Sequence, residues 1–162
     1  MAGPPRQKPD PAVMAGLREK ALAVAPAALD AAPTRELPHV FGLLMETGFP
    51  EGMVSLVVFA DGTVSLYFSN GGGVIGAGEH APVRAAAAAL LASAEAHLHC
   101  FAPAAATPPP AEGRVCIYLR CFDGTRGAEA SEDDLGEARH ALAGLFHAGH
   151  RVITELRLRT PG

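Results

Sequence analysis

At 162 residues the chain has the length of one domain with an ordinary core. The formal net charge of -4 weighs against a nucleic-acid surface, because its 13 basic residues do not cluster except at Arg151, Arg157 and Arg159. No apolar run reaches the ~18 residues of a membrane span, and with 6% aromatics and no tryptophan the core must rest on Leu, Val, Ile and seven Phe, with Ala allowing close packing.

Residues 1–9 are Pro-rich and polar, the composition of a disordered N-terminus. Asp10 then Pro11 predicts a helix start, with Asp as N-cap and Pro at the first helical position. Val13, Leu17, Ala21 and Val24 share one face at helical spacing. Arg18 and Lys20 precede the apolar stretch 21–29, which has the outline of a secretion signal. The late start and Pro26 favour instead the end of that helix and a linker closed by Pro33. A second short helix is expected from Pro38, with Val40, Phe41 and Leu44 as its apolar side and Gly48 as its cap. Residues 49–52 then turn the chain.

Residues 53–60 and 63–69 read as two strands joined by Asp61-Gly62, a hairpin signal that favours a type I′ turn. Val64, Leu66 and Phe68 lie on one face, and Thr63, Ser65, Tyr67 and Ser69 on the other. Such alternation predicts one buried face and one that is at least partly wet. A glycine loop follows and opens into a helix over 82–99, with Val83, Ala87, Leu90, Leu91, Ala94 and Leu98 as its stripe. Residues 102–113 are a Pro/Ala-rich loop inside the domain.

Residues 114–122 read as a strand that ends in Asp123-Gly124-Thr125, the same turn as Asp61-Gly62-Thr63, which suggests a ββα pseudo-repeat. The returning strand is poor in β-formers and is expected to be short or irregular. Ser131 caps the next helix, with Glu132, Asp133 and Asp134 in its first turn. Leu135, Ala138, Leu142, Leu145, Phe146 and Gly149 form its stripe, and His140 and His147 lie on its solvated side. Gly149-His150 is expected to end it. The alternation in 151–159 favours a final strand.

The order is helix, helix, hairpin, helix, strand pair, helix, strand: an α/β (α+β) sandwich with a mainly antiparallel sheet in one domain over 10–160. Its middle, a helix followed by a hairpin, resembles the roadblock/longin and profilin-like arrangement, whose domains often pair edge to edge. The resemblance is one of fold and assigns no function.

Gly71-Gly72-Gly73-Val74-Ile75-Gly76 matches G-x-G-x-x-G between a strand and a helix. The parallel βαβ unit and the following acidic residue of a dinucleotide site are missing, and so is a P-loop Lys-Ser/Thr. Free amides in such a loop could still cradle a carboxylate or phosphate. The candidate ligand site is therefore Ser69, Asn70, Gly71, Gly72, Gly73, Gly76, Glu79 and His80. The competing reading is a tight connection in which backbone passes close to backbone.

His97, His99 and Cys100 invite a metal reading that the spacing does not complete. Cys116 and Cys121 are an odd number apart, so on one strand they face opposite sides. No cofactor or metal is expected. Three cysteines without scaffold spacing fit a reducing cytoplasm. No nucleophile or acid–base set stands out. The functional expectation is a non-enzymatic interaction module that binds a protein partner or itself, with no nucleic acid or membrane. The alternative is a small-ligand or anion binder, or an enzyme, using the glycine loop.

Overall fold

The computed structural model describes residues 10–75 and 77–159. The expectation for residues 1–9 lies outside them, as does Gly76.

The chain runs α1 (Pro11–Ala23), β1 (Val40–Phe49), β2 (Gly52–Phe59), β3 (Val64–Phe68), β4 (Gly73–Ile75), α2 (Ala81–Ala96), β5 (Ala102–Pro103), β6 (Arg114–Cys121), β7 (Gly124–Ser131), α3 (Glu132–Gly136) and α4 (Ala143–Arg159). The strands form one sheet in the order β4-β3-β2-β1-β6-β7-β5, with every neighbouring pair antiparallel. The fold is α+β with an antiparallel sheet, as the sequence predicts. The hairpins β2–β3 and β6–β7 sit on either side of β1.

The expected helix at Pro38–Gly48 is instead β1, the centre of the sheet. A strand covered on both faces is a continuous apolar run with no alternation to read, and Val40 through Gly48 are all buried. Its glycines serve packing. A Cβ on Gly42 would lie 2.4 Å from the Phe59 ring, and one on Gly48 would lie 2.1 Å from the Ala111 carbonyl oxygen. With this segment a strand, no helix leads directly into the hairpin, and the feature that carried the roadblock/profilin-like resemblance is gone.

The β2–β3 hairpin forms as expected, with Val58 opposite Val64 and Val54 opposite Phe68. Its turn is not type I′. Among the turn residues only Gly62 has positive φ, at 94°, and the Asp61 carboxylate accepts from the Thr63 amide at 2.9 Å. Strand β7 is a full partner of β6 from Ser131 opposite Arg114 to Gly124 opposite Cys121. Its weak β-formers are compensated by packing: a Cβ on Gly127 would meet the Tyr118 ring at 3.1 Å.

The second half departs further. Ser131 does cap a helix, its hydroxyl accepting from the Asp134 amide at 3.4 Å, but α3 ends at Gly136 and Ala138 adopts φ 59°. Helix α4 then starts afresh and continues through 151–159, the expected strand, burying Leu145, Phe146, Gly149, Val152, Ile153 and Leu156. The apparent alternation misled because Leu158 is 71% exposed. Gly149 is a contact point, not a stop: a Cβ there would lie 2.5 Å from Met45 Cε.

The two faces of the sheet are covered differently. On one, α2 and α4 pack over Leu43, Met45, Leu56, Val58, Leu66, Ile117 and Leu119. On the other, α1 lies over Phe41, Leu44, Val57, Phe59, Tyr67 and Tyr118. Cys121 belongs to the first face and Cys116 to the second, as their odd spacing predicts. The α1 cover also removes the wet face expected for β3, leaving Ser65 at 2% and Tyr67 at 8% exposed.

Candidate functional site

The glycine run is a hairpin turn between β3 and β4. The Gly71 amide donates to the Phe68 carbonyl and the Phe68 amide to the Gly72 carbonyl, each at 3.0 Å. Gly71, Gly72 and Gly73 have φ of 107°, 97° and 156°, a conformation that L side chains rarely adopt. A Cβ on Gly73 would lie 2.3 Å from the Leu66 carbonyl oxygen, and one on Gly78 would lie 1.8 Å from that of Gly62. These two glycines let backbone cross backbone. The other predicted residues do not converge. The Ser69 hydroxyl accepts from the Met53 amide at 2.8 Å and lines a cavity under α1. Asn70 borders a separate hollow with Phe49, Met53, Val54, Phe68 and Arg157. Glu79 sits at the opposite end of β3 beside Asp61 and Arg84, its carbonyl accepting from Arg84 Nη2 at 3.0 Å. His80 precedes α2 and makes no side-chain cap bond.

The histidines serve local ends. His97 Nδ1 lies 2.7 Å from the Ser93 carbonyl at the end of α2, and His39 Nδ1 lies 2.7 Å from Glu95 Oε1. Glu95 also accepts from the Val40 amide at 2.9 Å. His140 and His147 do not share a helix: His140 Nδ1 accepts from the Leu142 amide at 3.0 Å just before α4. His150 tucks against Phe146, ring centroids 4.4 Å apart. Its burial, with His147 and Arg157 nearby, pushes its pKa below the ordinary 6.5. Among the described residues, no three His, Cys, Asp or Glu side chains gather as metal ligands would.

What the sequence reading missed lies beneath α1. Glu46 points from β1 into the second face and is fully buried. Arg18 grips it in a fork, with Nε 2.8 Å from Oε2 and Nη2 2.8 Å from Oε1. The Ser55 hydroxyl donates to Oε2 at 2.6 Å. Hydrogen bonding to Glu46 raises the Arg18 pKa, against the opposing effect of burial. Arg18 Nη2 also donates to the Thr107 carbonyl at 2.7 Å, and the Tyr118 hydroxyl to that of Pro108 at 2.6 Å. The Pro/Ala-rich loop is thereby clamped onto the sheet.

Arg120, 9% exposed, donates to the Ala21 carbonyl at 2.8 Å and stands 5.2 Å over the Phe41 ring. A cation is favoured at that end of α1 by the unsatisfied carbonyls. Burial lowers its pKa, raises that of Tyr118, raises that of Cys116 and pushes Cys121 up to about 11. The sequence signal was a lone Glu within the apolar run at 40–49, which a helix reading places at a helix end and a strand reading places in the interior.

Beside the Arg18 fork is a cavity of about 240 Å³ lined by Pro11, Met14, Ala15, Arg18, Glu19, Met53, Ser55, Tyr67, Ser69 and Pro109. On the first face, a groove of about 390 Å³ runs along α2. Leu37, Phe59, Ala60, Ala87, Ala88, Leu91 and Ala92 line its apolar part, and Glu36, Asp61, Gly62 and Arg84 complete the lining. The outward side of α2 shows Ala81, Ala85, Ala88, Ala89, Ala92 and Ala96.

No family model, curated protein or solved structure matches the chain. Among the described residues, no helix is long and apolar enough to cross a membrane.

Proposed function

We propose that this chain is a non-enzymatic protein-interaction module that pairs through the outward side of α2. The observation that carries the reading is the α2 groove. Apolar Leu37, Phe59 and Leu91 alongside charged Glu36, Asp61 and Arg84 give it the mixture of an interface, an apolar centre with polar surroundings.

The occupant is a second copy of the chain. About a point between Ala88 and Ala89, an antiparallel α2 partner sets Ala81 against Ala96, Ala85 against Ala92 and Ala88 against Ala89. A two-fold interface must be self-complementary in this way. Arg84 then falls opposite Ser93, so no like charges meet. Small side chains let the helices approach closely. Pairing through sheet edges is less favoured, because the edge strands β4 and β5 are only three and two residues long. The non-catalytic reading is supported by the buried polar groups, since Glu46 is engaged by Arg18 and Ser55. Three free thiols fit a reducing, cytoplasmic setting.

Native mass spectrometry tests this. The wild-type chain is expected at twice its 16.7 kDa mass, and the Ala88→Glu/Ala92→Glu variant as a folded monomer. A wild-type chain that stays monomeric at tens of micromolar overturns the reading.

A further inference from the structure

We infer that the cavity under α1 is a binding site for a small neutral molecule with a single-ring body and a hydrogen-bond acceptor such as a carbonyl. The site lies on the face of the sheet opposite the α2 groove, so it stands or falls independently of pairing.

Size sets the first limit. The volume of about 240 Å³ exceeds the ~150 Å³ that accommodates benzene and falls below the ~300 Å³ at which drug-sized sites begin. The walls set the second. Met14, Met53, Pro11 and Pro109 offer an apolar body, and methionine adapts to irregular ligands.

The polar groups specify the head. Tyr67 lines the cavity and is 8% exposed, yet its hydroxyl has no hydrogen-bond partner among the described residues. The tyrosine on β6, Tyr118, does have one. The Tyr67 hydroxyl is not fully buried, so solvent reaches it beside the cavity, and a ligand acceptor can take the place of that water. Ser69 Oγ accepts from the Met53 amide and keeps its own proton to donate. Arg18 spends Nε and Nη2 on Glu46 and Thr107, leaving Nη1 without a partner among the described residues. The lining is therefore rich in donors, while the acceptors of Glu46 are occupied by Arg18 and Ser55.

Charge excludes an anion. The Arg18 charge is matched by Glu46, and Glu19 adds a carboxylate to the lining. A ligand carboxylate that drew Arg18 away would leave Glu46 buried and unpaired, which is strongly unfavourable. A neutral acceptor takes the free donors and leaves the fork intact.

The test uses the full chain with methyl-labelled methionine and three probes: benzamide, benzoate and toluene. Benzamide is expected to shift the Met14 and Met53 methyl resonances saturably, with benzoate and toluene at least about tenfold weaker. Tyr67→Phe removes only the hydroxyl and should weaken benzamide by about fivefold, the equivalent of one neutral hydrogen bond, with the methyl spectrum otherwise native. Ala15→Phe, at an exposed position on α1 that lines the cavity, should block all binding in a folded chain. Saturation by none of the probes means a cavity that holds only water and overturns the proposal. So do benzoate binding tightest, toluene matching benzamide, or indifference of benzamide to Tyr67→Phe.

Discussion

The two faces of the sheet solve the same burial problem with different chemistry. The face under α2 and α4 is apolar at its centre: Leu43, Leu56, Leu90, Leu119, Leu145 and Leu156 are all between 0 and 1% exposed. The face under α1 mixes Phe41, Leu44 and Val57 with Glu46, Ser55, Ser65 and Arg120, all 9% exposed or less. An apolar face tolerates any helix with a matching stripe. A polar one accepts only a cover that supplies the right partners, here Arg18 from α1 together with the Thr107 and Pro108 carbonyls. The first face provides cohesion, and the second fixes which segment covers it and in what register.

Breaking the Arg18–Glu46 fork should have the largest effect. Arg18→Leu leaves a buried carboxylate without its partner and is expected to cost about 3–5 kcal/mol in urea unfolding. Arg18→Leu/Glu46→Leu should recover most of that loss, because two apolar residues replace the pair. A double variant as unstable as the single one would show that the fork contributes more than charge compensation.

On the apolar face, Leu90→Ala is expected to cost about 2–5 kcal/mol through the cavity it leaves. Combined with Arg18→Leu, the losses should add to within about 0.5 kcal/mol, since the sheet separates the two sites. Strong coupling would mean that the faces are not independent.

The glycines rank by what a side chain would meet. Gly73→Ala and Gly78→Ala press a methyl group on backbone carbonyls, whereas Gly72→Ala meets nothing within 4 Å. Losses of about 1–3 kcal/mol for the first two, against about 1 kcal/mol for Gly72→Ala from positive φ alone, would mark the loop as a structural crossing. Equal small losses would return it to candidacy as a ligand loop.

Acid should weaken the α4 side. His150 has a folded pKa below the 6.5 of the free side chain, so the folded state holds its proton less well than the unfolded one. Its stabilising contribution is in place above pH 6.5 and is lost as pH falls through the folded value. His150→Asn should flatten that slope in stability measured from pH 7.5 to 5. Thiol labelling gives the mildest probe. Cys116 and Cys121 are buried with raised pKa values and should label only on unfolding, after Cys100.

The sequence made legible whatever has a local signature. Two apolar runs joined by Asp61-Gly62 gave β2 and β3, the Asp10-Pro11 start gave α1, and the stripe from Val83 to Ala94 gave α2. It hid what depends on neighbours. A strand buried on both sides has no period, so 40–49 read as a helix. Gly149 looked like a stop because the sequence does not show Met45 beneath it. Leu156 and Leu158 looked paired until α4 put one inside and the other in water. The glycine loop stood out as composition yet scatters Ser69, Asn70 and Glu79 to different hollows. The Arg18–Glu46 fork, 28 residues apart in sequence, left no local trace.

The pairing claim is tested most directly by cross-linking. With native Cys100 changed to Ser, Ala88→Cys places a thiol beside the proposed two-fold axis, where two helices in contact bring the sulfurs within disulfide reach. Mild oxidation should give a covalent dimer from Ala88→Cys and none from Ala27→Cys, an exposed position well away from α2. Equal cross-linking of the two variants, or none from Ala88→Cys, would contradict pairing through α2.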